Sequence, residues 1–213
     1  MRITVIGAAG SVGSRVVAEA LARGHEVTAV VRNAERFGEL PEGAQPRSGD
    51  AADVDDVVAA SAGQDVLISA TRPAPGREGE LVATARALLA GVRETGTRLL
   101  LVGGAASLAL PGSKGKRVLD DPAWVPPAWQ PIARACLDQL EVCLDEERAD
   151  WTYLSPPAVL EPGRRSGSYR TGEDELLVDA DGASRISVED LAVALLDEAE
   201  RPRHHRARFT VGY

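Results

Sequence analysis

The sequence predicts an α/β fold in which helices cover both faces of a doubly wound parallel sheet. In the first half of the chain, short apolar runs alternate with segments whose apolar residues recur at helical spacing. Strands that are apolar on both faces and separated by helices are typical of a parallel sheet buried on both sides. We expect the 213 residues to form a single domain, 1–213, in which residues 155–185 contribute a small lobe on the substrate side.

The strands are predicted from apolar runs that end at turn residues. The first is a β-branched run that stops at Gly7, the third precedes Gly49, and the sixth stops at Pro156. The fifth is almost wholly apolar, which is typical of a strand covered on both faces. Strands are predicted at residues 2–6, 26–31, 44–48, 65–69, 98–102, 151–155 and 208–211.

The helices are predicted from amphipathic spacing and from residues that favour helix ends. Gly24 ends the first helix as a C-cap, Asp53 caps the second, and Pro131 must lie in the first turn of the fourth. Ser187 and Asp190 begin the last helix with the spacing of a capping box. Helices are predicted at residues 11–23, 53–60, 78–95, 128–148 and 187–200, and residues 103–127 are predicted to form a long loop.

The segment Gly7-Ala-Ala-Gly-Ser-Val-Gly13 lies between the first strand and the first helix, which is the position of a dinucleotide-binding loop. Gly7 can turn sharply because it lacks Cβ, Gly10 lets the backbone approach a pyrophosphate, and Gly13 lets helix and strand pack closely. The N-terminus of the helix then offers free N–H groups and a favourable dipole to phosphate oxygens. A purely structural turn is the alternative.

Arg32 follows the second strand, where proteins that bind NAD place Asp or Glu to hold the ribose hydroxyls. A cation there would pair with a 2′-phosphate, and the planar guanidinium can bind phosphate bidentately. The sequence therefore predicts NADP(H), with Arg36 as a second candidate one turn further on. The alternative is that Arg32 is an ordinary surface residue.

Composition argues against several other partners. The formal net charge of −8 disfavours nucleic acid, and the chain has no apolar run of about 18 residues that would span a membrane. Cys136 and Cys143 fit no zinc pattern, so we expect no metal. Met1 leads directly into a strand rather than into a signal peptide, which predicts a cytoplasmic protein. Monomer and homodimer both remain open.

Several segments together resemble the atypical short-chain dehydrogenases/reductases with an NAD(P)-binding, NmrA-like domain. That group includes flavin reductases similar to biliverdin reductase B. The resemblance covers most of the chain and implies a Rossmann fold. The segments that carry it are Gly7 to Gly13, Val31-Arg32-Asn33, Gly49-Asp50, Ile68-Ser69-Ala70, Trp151 to Pro157 and Arg185 to Leu191.

The resemblance also implies a set of coenzyme contacts. The residues that would hold the pyrophosphate are Gly7, Ala9, Gly10, Ser11, Val12 and Gly13. Those that would contact the 2′-phosphate and the adenine are Arg32, Asn33, Asp50 and Ala51. Those that would border the two riboses and the nicotinamide are Ala70, Thr71, Gly103, Gly104, Pro157 and Val159.

The resemblance does not extend to the catalytic pair. A standard short-chain dehydrogenase has Tyr-x-x-x-Lys on the helix after the long loop, whereas residues 127–135 contain neither Tyr nor Lys. Trp129 cannot act as a general acid, and Tyr153 is expected to pack in the sheet. Ser107, just after the fifth strand, is our candidate catalytic residue, because its hydroxyl could hydrogen-bond a substrate. An ordinary loop serine is the alternative.

Three functions follow from these expectations. The first is an NADPH-dependent oxidoreductase that transfers hydride to a small planar acceptor such as a flavin or a quinone. Such acceptors can take their proton from water, which suits a site without the Tyr/Lys pair. The second is a redox sensor of the NmrA type that binds NADP(H) without turnover. The third is an epimerase or dehydratase of the extended branch, although those enzymes normally keep the Tyr.

Replacing Arg32 by Asp tests the coenzyme assignment. We expect the Kd for NADPH to rise by at least about tenfold while the Kd for NADH changes much less. The reason is that only NADPH has a 2′-phosphate for arginine to bind and for aspartate to repel. Fluorescence titration with both coenzymes measures the two constants. An equal change in both constants, or no change in either, would show that Arg32 does not bind the 2′-phosphate.

Overall fold

The structure of the protein is a computed structural model that describes residues 1–213, with ten strands and five α-helices. The strands are β1 (Arg2–Ile6), β2 (Glu26–Val31), β3 (Gln45–Ser48), β4 (Val66–Ser69), β5 (Arg98–Val102), β6 (Trp151–Ser155), β7 (Val159–Glu161), β8 (Arg170–Gly172), β9 (Arg185–Ser187) and β10 (Ala207–Gly212). The helices are α1 (Ser11–Ala22), α2 (Val54–Ser61), α3 (Glu80–Thr95), α4 (Gln130–Leu144) and α5 (Val188–Glu200).

Eight strands form the central sheet in the order β3-β2-β1-β4-β5-β6-β10-β8. All neighbours are parallel except β10 and β8, which run antiparallel. The strand order reverses beside β1, so that the chain winds outward from β1 in both directions. This confirms the doubly wound fold, and in such sheets ligands bind at the carboxyl ends of the strands near the reversal.

Each face of the sheet is covered by helices, as the apolar strands predict. On one face, α1 and α5 pack against alternate strand residues and against each other, with Val16 and Leu191 among the buried side chains. On the other face, α2, α3 and α4 cover a second apolar cluster that includes Val57, Leu88 and Leu140. Burial of each such side chain contributes about 1.5–3 kcal/mol, so both faces stabilise the sheet.

The long helix before β6 is shorter than the sequence predicts. It begins at Gln130 rather than at residue 128, with Pro131 in its first turn as expected, and it ends at Leu144 rather than at residue 148. The Glu146 carboxylate accepts hydrogen bonds from the backbone N–H groups of Arg148 and Ala149, at 2.7 and 3.0 Å. These local bonds hold residues 145–150 in a turn and compete with helical pairing.

The region after β5 is the predicted long loop, but it is not without order. It contains short 3-10 helices at Ala105–Ser107 and Val118–Asp120, and another lies at Pro127–Trp129. The loop packs on a small apolar cluster of its own. The buried members of that cluster are Leu108, Leu110, Val118, Val125 and Leu176.

Strands β7, β8 and β9 were not predicted from the sequence. Each has three residues, and most of their side chains are exposed, so they show no apolar pattern. Strands β7 and β9 form a separate two-stranded parallel sheet, whereas β8 extends the main sheet at β10. In the structure, no helix is both long and apolar enough to cross a membrane.

The start of α5 differs from the predicted capping box. The hydroxyl of Ser187 accepts the N–H of Asp190 at 3.0 Å, which is half of that motif. The Asp190 carboxylate instead accepts the N–H groups of Ser166 and Gly167, at 2.8 Å each, and the hydroxyl of Tyr213 at 2.7 Å. Asp190 thereby ties two other segments to α5, namely the residues before β8 and Tyr213, which follows β10.

The pKa of Asp190 reflects this arrangement. Burial alone would raise it, but the hydrogen bonds from Ser166, Gly167 and Tyr213 outweigh burial and hold the pKa below its ordinary value. A carboxyl group whose pKa is lower in the folded state than in the unfolded chain stabilises the fold above the unfolded pKa. That contribution is lost as the pH falls through the folded pKa.

Replacing Asp190 by Asn keeps the shape of the side chain and removes its charge. At neutral pH we expect the free energy of unfolding to fall by about 1–3 kcal/mol, because the donors that faced the carboxylate lose a charged acceptor. The difference from the wild type should shrink as the pH falls below about 4. Urea unfolding over a series of pH values measures it, and a difference that stays constant with pH would contradict this role.

Candidate functional site

The turn between β1 and α1 has a geometry that only glycine accommodates at two positions. Gly7 has φ +82°, and a Cβ atom on it would lie 2.6 Å from the carbonyl oxygen of Ala70 at the end of β4. A Cβ atom on Gly13 would lie 2.1 Å from the carbonyl oxygen of Gly7. The chain can therefore turn tightly under α1, which agrees with the backbone roles predicted for both glycines.

This turn leaves backbone donors free at the start of α1. The N–H groups of Gly7 and Ala8 donate to the carbonyl of Val30, and that of Gly10 donates back to Gly7. The remaining N–H groups of the turn donate to no acceptor in the protein, and α1 has no acidic residue in its first turn. Free donors at a positive helix end fit phosphate oxygens. These donors belong to Ala9, Ser11, Val12 and Gly13.

A cavity of about 440 Å³ opens over this turn at the carboxyl ends of β1, β2 and β4. It brings together most of the residues predicted to contact the coenzyme, including all those assigned to the 2′-phosphate and the adenine. Gly13 does not line the cavity, because it packs beneath Gly7. The predicted residues that line it are Gly7, Ala9, Gly10, Ser11, Val12, Arg32, Asn33, Asp50, Ala51, Ala70 and Thr71.

Three polar residues follow β2 at one end of this cavity. Arg32 is exposed, and its guanidinium forms no salt bridge or hydrogen bond within the protein. The Asn33 side chain instead accepts the N–H of Glu35 at 3.0 Å and so caps a short helix. Arg36 donates to the Ala9 carbonyl oxygen at 2.9 Å and pairs with a neighbouring glutamate. Arg32 is thus the cation of this group that is free to bind an anion.

A second cavity of about 510 Å³ adjoins the first. Its lining includes Gly103, Gly104, Pro157 and Val159, for which the resemblance implies contacts with the nicotinamide and its ribose. The two cavities share a wall and together form one cleft along the carboxyl edge of the sheet. The shared residues are Val12, Ala70, Thr71, Arg72, Pro73, Leu81 and Leu160.

Gly103 and Gly104 also have a structural reason to lack side chains. A Cβ atom on Gly103 would lie 1.8 Å from the ring of Tyr153, and one on Gly104 would lie 2.9 Å from the Cys136 sulfur. The Tyr153 hydroxyl donates to the Cys136 carbonyl oxygen at 2.9 Å, and the same hydroxyl lies 3.2 Å from Gln139 Oε1. Burial raises the pKa of Tyr153 well above its ordinary value. Tyr153 therefore packs in the core, as expected.

Ser107 lies outside the cleft. Its hydroxyl accepts a hydrogen bond of 2.8 Å from Arg208, which also pairs with Asp174. It lines neither cavity, so the structure does not bring the predicted catalytic residue together with the coenzyme residues. Its catalytic role stays a prediction. No group of three or more His, Cys, Asp or Glu side chains is arranged to hold a metal ion.

The larger cavity also contains residues that sequence reasoning did not assign to the site. Arg72 follows Thr71 at the end of β4, a position from which the strand pattern could have suggested it. The others lie on α4, which the sequence does not place over the cavity. These residues include Ile132, Cys136 and Gln139. Among them, burial raises the pKa of Cys136 to about 11.

Comparison with known proteins assigns the chain to a family. Residues 7–199 match the family model described as NAD(P)H-binding, and the chain belongs to that family. Together with the fold, this confirms the predicted class, the NAD(P)-binding Rossmann oxidoreductases of the atypical short-chain dehydrogenase type. The chain is also 40% identical to YwnB of Bacillus subtilis, an uncharacterized protein, over 99% of this chain and 98% of that one.

Solved structures show the same similarity. A proposed epimerase from Bacteroides thetaiotaomicron is 41% identical, with a TM-score of 0.90 over 100% of this chain and 96% of that chain. A proposed NADH-flavin reductase from Streptococcus pneumoniae is 31% identical, with a TM-score of 0.88 over 100% of this chain and 99% of that chain. Both similarities extend over the whole cleft.

Replacing Gly13 by Ala tests the turn. The new Cβ atom must displace the Gly7 carbonyl, so we expect the free energy of unfolding to fall by about 1–3 kcal/mol. We also expect the Kd for NAD(P)H to rise by at least about tenfold, because the free N–H groups move. Coenzyme titration and urea unfolding measure the two effects.

Gly24→Ala provides the matched control at the other end of α1. Gly24 has φ +78°, and a Cβ atom there would meet nothing within 4 Å. The substitution should cost about 1–2 kcal/mol of stability through backbone strain alone. Coenzyme affinity should not change. If both variants weakened coenzyme binding equally, the turn would have no specific part in that binding.

Proposed function

We propose that the protein is an NADPH-dependent reductase that transfers a hydride to a small planar acceptor, such as a flavin or a quinone. The observation that carries this proposal is the chemistry of the larger cavity. Its walls are mostly hydrophobic, and the only titratable side chains among its lining residues are Arg72 and Cys136. A cavity of this kind, beside a coenzyme cleft, favours a flat apolar ligand.

The same lining argues against reduction of an ordinary aldehyde or ketone. That reaction needs a protein acid to protonate the carbonyl oxygen, and an efficient acid has a pKa near the working pH. The Cys136 thiol has a pKa of about 11, arginine does not give up its proton, and Tyr153 is buried outside the cavity. A flavin or a quinone needs no such group, because water can supply the one proton that accompanies the hydride.

Each half of the cleft has a distinct part in this reaction. The N–H groups of the turn bind the pyrophosphate, and Arg32 binds the 2′-phosphate. NADPH held in this way would supply the hydride, and one proton from solvent would complete the two-electron reduction of the acceptor. Pro157 and Val159 border the nicotinamide, while Trp124 and Trp129 provide flat surfaces for the acceptor ring. Exclusion of water by these apolar walls protects the hydride.

The similar protein from Streptococcus pneumoniae supports hydride transfer to a flavin, because it is a proposed NADH-flavin reductase. Our reason for preferring NADPH is the free guanidinium of Arg32, with no carboxylate directly after β2.

We further propose that residues 1–213 form one domain and that residues 155–185 are its acceptor-side lobe. Residues 156–160 of that lobe line the larger cavity.

A panel of acceptors tests this function. We expect NADPH oxidation with FMN, riboflavin and menadione, and rates at least about a hundredfold lower with aldehydes and ketones, since general acid catalysis is worth that much. The decrease in NADPH absorbance measures each rate. Tight NADPH binding without oxidation by any acceptor would contradict the reductase and favour the redox sensor.

A further inference from the structure

Arg72 is the only charged side chain that lines the larger cavity, and it lies on the wall that this cavity shares with the smaller one. It lies on the loop between β4 and α3, and Pro73 follows it, which restricts its backbone to extended conformations. Its guanidinium is exposed, forms no salt bridge, and donates no hydrogen bond within the protein. The loop therefore presents an unneutralised cation at the edge of an apolar cavity.

This cation lies against an aromatic side chain from another segment of the chain. The central carbon of the Arg72 guanidinium lies 5.4 Å from the centroid of the Trp129 ring. This cation–π contact joins the β4–α3 loop to the start of α4. Trp129 itself is 54% exposed, so the pair lies at the mouth of the cavity rather than in the core.

We propose that Arg72 selects acceptors that carry an anionic group, which makes the substrate class a planar conjugated anion. A guanidinium fork binds phosphate, carboxylate or sulfonate oxygens, and its attraction is stronger beside apolar walls than in water. The protein has a formal net charge of −8, which repels anions in general. Arg72 offsets that repulsion where the acceptor enters. The inference rests on the proposed function, because it assigns the larger cavity to the acceptor.

FMN and riboflavin provide the test, since they share one ring system and differ by a phosphate. Flavin fluorescence measures their binding to the protein saturated with NADP⁺, which requires no turnover. We expect the wild type to bind FMN about tenfold more tightly than riboflavin. Arg72→Gln should weaken the binding of FMN alone and bring the ratio of the riboflavin Kd to the FMN Kd close to one. Arg72→Lys should restore part of the preference for FMN. Raising the salt concentration should also reduce the wild-type ratio.

Arg134→Gln is the matched control. Arg134 is an exposed arginine on α4 that lines neither cavity, so its loss removes the same charge without changing the ratio. A second pair of ligands, menadione and 1,4-naphthoquinone-2-sulfonate, shows whether Arg72 recognises negative charge in general or phosphate in particular. We expect the sulfonate to lose affinity for the Arg72→Gln variant and menadione to keep it.

Three results would overturn the inference. One is an equal loss of FMN and riboflavin affinity in Arg72→Gln, and another is an unchanged preference for FMN. The third is weaker NADP⁺ binding with an unchanged ratio, which would assign Arg72 to the pyrophosphate of the coenzyme.

The proposed function is judged separately by the NADPH-dependent reduction of riboflavin, which has no anionic group. Riboflavin reduction together with an unchanged FMN preference in Arg72→Gln overturns the inference alone. Absent reduction together with a lost FMN preference overturns the proposed function and supports recognition of the anion.

Discussion

The contact between Gly7 and Gly13 is the constraint on which the site depends. The chain leaves β1 through a left-handed residue and passes so close to the end of β4 that no Cβ atom fits at Gly7. The first turn of α1 then packs directly on the Gly7 carbonyl. Val16 and Val17 anchor the rest of the helix on the sheet. The free N–H groups at its start are therefore held in place by the core of the protein.

The parallel sheet gathers the other parts of the site around that turn. Strands β2, β4 and β5 end beside β1 or next to its neighbour, so Arg32, Thr71 and Gly103 reach the same edge although they are distant in sequence. The two halves of the cleft differ in charge. The coenzyme half has free backbone donors and the unpaired Arg32, whereas the other half is apolar apart from a few neutral polar groups and Arg72, which lies on the shared wall.

Much of this architecture can be predicted from the sequence, because strands buried on both faces and glycine turns have local patterns. The coenzyme half follows from the same patterns, since its residues immediately follow predicted strands. The acceptor half could not be derived in this way. Trp124 and Gln139 reach the cavity through the path of the long loop and the exact start of α4, and Ser107 turns away from it to bind Arg208. Such tertiary contacts leave no periodic signal, as the short exposed strands β7 to β9 also show.

The account depends most on binding of the coenzyme phosphates by the backbone N–H groups at the start of α1. Amide NMR spectra test this binding most directly. Titration of labelled protein with NADP⁺ should shift the amide resonances of Ala9, Ser11 and Val12 more than those elsewhere, because their N–H groups line the cavity and gain acceptors. Unchanged resonances for these three amides at saturating NADP⁺, or the largest shifts at a site away from the cleft, would contradict the account.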